Sequence, residues 1–123
     1  MKKIVILIII ALYSTIDARG QDGFVGNWTD EANSQIITIY VEDSNYFGRI
    51  IYAKDLPSKE IENKIVLIQM KKRNDNVLYG GTYFDWLIKK EFEVKLKLKN
   101  ANTIYFTGYH GIFNINRVWH RVL

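Results

Sequence analysis

Phe92-Glu93-Val94-Lys95-Leu96-Lys97-Leu98-Lys99 (FEVKLKLK) alternates strictly: apolar side chains fall at even numbers and charged ones at odd numbers. A period of two marks a strand with one face on a core and the other in water. Working outward, Asn100-Ala101-Asn102 turns the chain, and Thr103 to His110 (TIYFTGYH) runs back. Upstream, Lys64 to Lys71 and Val77 to Phe84 flank the turn-rich Arg73-Asn74-Asp75-Asn76. Gln35 to Val41 and Tyr46 to Ala53 flank Glu42-Asp43-Ser44-Asn45 in the same way. Phe24 to Thr29 and Asn116 to Val122 complete a set of eight strands.

The strands are rich in Ile, Val, Tyr, Phe and Trp, which suit a pleated, half-buried surface. The chain holds a single proline, Pro57, within Asp55 to Asn63, the one longer connection and the place for a brief helical turn. Short turns between successive strands favour an antiparallel meander over alternating β and α units. Eight such strands can build a sandwich or an up-and-down barrel. Closure into a barrel removes the strand edges that invite aggregation. Gly48, Gly80, Gly81 and Gly108 fall inside strand patterns, at points where strongly coiled strands bend or bulge. The predicted fold is therefore an all-β, eight-stranded antiparallel barrel.

The 123 residues suffice for one small domain. Residues 1–20 read as a signal peptide: a basic MKK start, the apolar run Ile4 to Leu12, and small residues at Ala18 and Gly20. A retained anchor is the competing reading, but the run is short for a span of about 20 residues. The mature domain is expected to cover residues 21–123 and to be periplasmic or secreted by a Sec-type route. Lys2, Lys3 and Arg19 fall in the leader, as does Asp17. Subtracting them from 17 basic and 13 acidic residues leaves 14 and 12, a net of +2. That small excess argues against a nucleic-acid partner. There is no cysteine, hence no disulfide, no thiolate chemistry and no lipid anchor through an N-terminal Cys.

Two stretches near the chain ends, Gly26-Asn27-Trp28 and Arg117-Val118-Trp119-His120-Arg121, belong to the first and last strands. A Gly-x-Trp on the first strand with an arginine on the last resembles the calycin superfamily of lipocalins and avidin-like barrels. The resemblance implies that Trp28 plugs one barrel end and Arg121 lies across its ring, with Gly26 allowing close approach and Trp119 completing the closure. Arg117 is the rival, since it shares the strand face of Arg121. Guanidinium over indole gains roughly 0.5 to 2 kcal/mol.

Further motifs follow in order: Tyr46-Phe47-Gly48-Arg49-Ile50, Gly80-Gly81-Thr82-Tyr83-Phe84-Asp85, and Phe106 to Val122. From Gly23 to Val122 this succession resembles the bacterial secreted domain-of-unknown-function family 2147. The chain departs from that pattern after Asp85, where Trp86-Leu87-Ile88-Lys89-Lys90 replaces a Pro and a glycine-bearing turn, and in a shorter loop before the fourth strand. The family carries no established activity, so the resemblance speaks to fold and export.

Catalytic and metal chemistry find little support. His110 and His120 stand alone on separate strands, without the three or four convergent ligands a metal needs. Ser34, Ser44 and Ser58 lie in turn-like contexts without a base and an orienting acid. Asp30, Glu31 and Asp85 could supply a carboxylate pair, but turn formers and surface charges explain them as well. Asp85 is the acid to test, because it lies in the resembled motif. Lys71-Lys72-Arg73 and Lys89-Lys90 read as solvated turn flanks rather than as a phosphate-binding surface. Asn27-Trp28-Thr29 matches a glycosylation acceptor, with no modification expected beside a buried tryptophan.

The tyrosines carry the functional expectation. Tyr40, Tyr46, Tyr52, Tyr79, Tyr83, Tyr105 and Tyr109 sit on strands, and buried phenols need polar partners. With Asp85 they form the candidate ligand-binding set. Tyr46, Gly48, Ile50 and Tyr52 share one face of their strand, and that face is expected to point inward. The function expected is a non-enzymatic, secreted barrel, with no cofactor and no metal, that binds a small apolar or amphipathic ligand. The alternative is a structural or protein-interaction module of the bacterial envelope. Tyrosines that merely fill a solid core account for the sequence equally well.

Overall fold

The computed structural model describes residues 22–54, 58–86 and 88–122; the expected signal peptide lies outside the described residues. Eight strands follow one another around a closed antiparallel barrel. They are β1 (Gly26–Asp30), β2 (Gln35–Glu42), β3 (Asn45–Ala53), β4 (Ile65–Asn74), β5 (Val77–Asp85), β6 (Lys90–Asn100), β7 (Thr103–His110) and β8 (Phe113–Arg121). A single 3-10 turn, Ser58–Ile61, interrupts the connection from β3 to β4. The seam closes where β1 meets β8, with Trp28 opposite Arg121 and Asp30 opposite Trp119. Among the described residues no helix is long and apolar enough to cross a membrane.

Alternation decides the interior. Phe92, Val94 and Leu96 of the FEVKLKLK strand are buried, while the charges between them face outward. Alternation likewise buries Ile37 and Ile39 on β2 and Ile104 and Phe106 on β7, while a bulge between Leu78 and Gly81 lets both Leu78 and Tyr83 face inward on β5. The three even-numbered connections, after β2, β4 and β6, are tight turns at the end where β1 begins. That is the closed end. The connections after β1, β3, β5 and β7 surround the other end, the mouth.

The inward expectation for the β3 face holds for Tyr46, Gly48 and Ile50 and fails at Tyr52. Ile36 pairs with Tyr52 but Ile37 pairs with Ile50, so the ladder slips at that step. A bulge shifts the side-chain parity by one residue. Ala53 turns in and Tyr52 turns out to solvent.

Candidate functional site

The closed end is built around Trp28, whose side chain is 0% exposed. Its indole nitrogen donates to the Phe24 carbonyl at 2.8 Å, and the Arg121 guanidinium lies 4.3 Å above its ring. Arg121 Nε donates to the Ala101 carbonyl at 2.9 Å and Nη1 to the Val25 carbonyl at 3.1 Å. Nη2 donates to the Gly23 carbonyl. One fork thus ties the segment before β1 to the turn between β6 and β7. Gly26 makes room for it: its φ is +141°, and a Cβ there would stand 2.5 Å from Nη1 of Arg121. Phe24 meets Tyr46 edge-on, and the Tyr46 hydroxyl donates to Asp22.

Above this base the interior is solid. Ile39, Ile50, Leu67, Met70, Leu78, Leu96, Ile104 and Phe106 are all at or below 1% exposure, which leaves no water-sized gap beside them. The filling ends in an aromatic layer of Tyr83, Phe92, Phe106 and Trp119. Tyr83 packs edge-on to Phe106 at 5.0 Å between ring centres, and Phe106 lies 5.2 Å from Trp119. Trp119 therefore belongs to this layer; the cover of the closed end is Arg121.

Polar groups stand on the mouth side of that layer. Asp85 continues the inward face of β5 beyond Tyr83, and Arg117 continues that of β8 beyond Trp119. Arg117 Nη2 lies 3.8 Å from Asp85 Oδ2, the arginine side chain 40% exposed and the aspartate 14%. The guanidinium also sits 5.7 Å from the centre of the Phe106 ring. Arg117, the rival for Trp28, is thus at the opposite end of the barrel. Four residues of strand, about 13 Å, separate it from Arg121. Asp30 accepts hydrogen bonds from the Ser34 backbone and hydroxyl, fixing the β1–β2 loop. His110 lies beside Phe92 with ring centres 6.4 Å apart, and His120 is exposed.

Burial pushes the Tyr83 phenol up to about 12, against the pull of the Arg117 charge and with the push of Asp85. Burial and the Asp22 carboxylate raise Tyr46 as well. In the unfolded chain a tyrosine ionises near 10. Below that pH both states keep the proton and stability is unaffected. Between about 10 and 12 the unfolded chain holds fewer protons than the folded one, so stability falls as pH rises. The slope is up to about 1.4 kcal/mol per pH unit for the deeply buried Tyr83. Urea midpoints from pH 8 to 12 are expected to fall only above 10, and Tyr83→Phe to remove one tyrosine's share of the decline. An unchanged slope in Tyr83→Phe would contradict this assignment.

Of the seven candidate tyrosines, Tyr46 and Tyr83 point inward. Tyr40 is half-buried on the outer face, and Tyr52, Tyr79, Tyr105 and Tyr109 are exposed. The outer rings have cationic neighbours: Arg49 over Tyr40, Arg73 over Tyr79 and Lys99 over Tyr105. A cation on the ring face makes an outward aromatic tolerable. Tyr79 and Tyr109 line one outer groove of about 440 Å³ with Arg73, Glu93 and Lys95. The mouth pair was half legible: Asp85 stood in a motif, whereas Arg117 was considered only for the closed end. Its parity with Trp119 was the available signal.

The barrel superposes on protein HP1028 from Helicobacter pylori, a solved structure described as belonging to the lipocalin family. The TM-score is 0.67 over 81% of this chain and 83% of that one, at 13% identity. The fold is lipocalin-like. No family model matches the sequence, and no curated protein matches it. Within the lipocalin-like frame, Trp28 and Arg121 form the closed base and the Tyr83, Asp85 and Arg117 group forms the mouth.

Proposed function

We propose that this chain is a secreted, non-enzymatic, calycin-like barrel that binds a small amphipathic molecule bearing an acidic group at its mouth. The observation that carries the reading is Arg117. A half-open guanidinium stands over an aromatic floor, 3.8 Å from Asp85 and within hydrogen-bonding reach of the Tyr83 phenol. An acid headgroup can take that guanidinium as a bidentate partner, its apolar part reaching the buried layer of Phe106, Tyr83 and Trp119 as the Arg117 side chain moves off it. The solid interior confines the ligand to the mouth rather than to a deep calyx. Few convergent polar groups beside aromatic walls are the usual composition of such sites. The run of motifs from Gly23 to Val122 supports placing the chain as a divergent relative of family 2147. The basic start and apolar run of residues 1–20 support export to the periplasm or beyond.

Native mass spectrometry of the protein recovered after export tests for a co-purified ligand. Change in tryptophan emission on adding decanoate or decanol, with Trp119→Phe identifying that residue's share, then tests the chemistry. Arg117→Gln is expected to weaken decanoate binding roughly 10- to 100-fold, the worth of a charge-assisted hydrogen bond, and to leave decanol unaffected. Equal losses for both probes, or binding of neither, would overturn the reading. A second reading, a protein-interaction module of the envelope, is favoured by one feature: the outer groove with Tyr79, Tyr109, Arg73 and Lys95. Tyrosine and arginine are residue types that anchor protein interfaces.

A further inference from the structure

The mouth rim has a property that ligand binding does not use. Three large apolar side chains project from two loops and the first residue of β8: Ile112 is 93% exposed, Phe113 69% and Ile88 57%. Gly111 and Ile112 form the two-residue turn between β7 and β8, with Gly111 at φ +61°. A turn of this kind asks only for glycine at its first position. Nothing in the turn geometry calls for isoleucine at its tip.

The two loops lie side by side. Across β6 and β7, Glu93 pairs with Tyr109, and the Phe92 and His110 rings touch one step further out. The same ladder carried on brings Lys90 level with Ile112. Lys89 and Lys90 are both exposed there, next to Ile88. Glu91 points to the outer side of β6, and the exposed Glu31 of the β1–β2 loop stands beside Arg117. Lys90 pairs with Asp85 in the β5–β6 ladder, so the cationic part of the rim runs directly into the mouth.

We propose that this rim, Ile88, Ile112 and Phe113 with Lys89 and Lys90, docks the barrel mouth-first on a bilayer containing anionic phospholipid. Five residues on the rim are far fewer than the 20 to 30 per side of a stable protein interface. They suffice for shallow insertion, where each buried apolar group adds to the affinity and lysines beside it meet lipid phosphates. The docked orientation turns the mouth toward the lipid. The inference does not depend on a ligand at Arg117.

The test uses the protein recovered after export and vesicles of phosphatidylglycerol with phosphatidylcholine, against phosphatidylcholine alone. Sedimentation measures binding. Brominated acyl chains measure insertion by quenching Trp86, which lies in the β5–β6 loop, with Trp86→Phe identifying its share of the signal. Wild type is expected to bind the anionic vesicles and to be quenched. The double variant Ile112→Ser, Phe113→Ser is expected to lose binding about tenfold or more, since both side chains would enter the lipid. Lys89→Gln with Lys90→Gln is expected to cost about fivefold per lysine on anionic vesicles only. Unchanged thermal melts show that the variants fold. Equal binding and quenching by wild type and the Ile112, Phe113 variant would overturn the proposal, as would no vesicle binding at low salt. Dimers that dissociate in that variant, without vesicle binding, would assign the rim to a second copy of the chain.

Discussion

Trp28→Ala is expected to lower the stability of the barrel by about 3–5 kcal/mol, the cost of truncating a fully buried large aromatic. Trp28 is 0% exposed and its indole nitrogen satisfies the Phe24 carbonyl. Removing it leaves a cavity at the closed end, an unpaired carbonyl and a guanidinium with no ring beneath it. Domains of this size are stable by roughly 5–15 kcal/mol in all. The melting temperature should therefore fall by about 15 °C or more, measurable by circular dichroism or a urea titration. Trp28→Phe keeps most of the ring and loses only the donor, so it should fall well short of the alanine variant. A loss below about 1 kcal/mol in Trp28→Ala would mean that Trp28 is not what closes this end.

Arg121→Ala should cost about 2–4 kcal/mol, because one side chain serves three carbonyls from two segments as well as the indole. Arg121→Lys keeps the positive charge over the ring but cannot present the planar fork, so it should recover only part of the loss. The two positions are expected to be coupled. The double variant should be less destabilised than the sum of the singles by about 1 kcal/mol, since each single already removes their shared contact. Strict additivity in urea midpoints would show that Arg121 acts through the carbonyls alone.

The number and order of strands were legible because short turns separate apolar-rich runs, and in FEVKLKLK the alternation itself survives from sequence to structure. The closure was legible for a different reason: a Gly-x-Trp and a late arginine are paired across the seam by resemblance, and Gly26 has the backbone geometry that the guanidinium requires. The candidate site was legible only in part. Alternation says which side chains share a face, but not which face is inside when both carry aromatics. The side taken by Tyr79, Tyr105 and Tyr109 is left open by the sequence for that reason; they face outward. Tyr52 departs from the expected face because a bulge at Ile51, in its own strand, shifts its parity, and no local signal there marks it. Arg117 and Arg121 share a face, as parity implies, yet they sit at opposite ends; parity carries no information about depth along the barrel.

The seam between β1 and β8 also sets an order of events. The hydrogen bond from Arg121 to the Gly23 carbonyl joins residues 98 positions apart, and until β8 is present β1 has β2 on one side and nothing on the other. A chain that emerges β1 first, from a ribosome or through a pore, is an open, curling ribbon for nearly its whole length. Its lid, its last hydrogen-bond ladder and the burial of Trp28 all wait for the same final strand. Closure of the barrel thereby waits for the last strand, and a chain cut short before β8 leaves β1 with an unpaired edge.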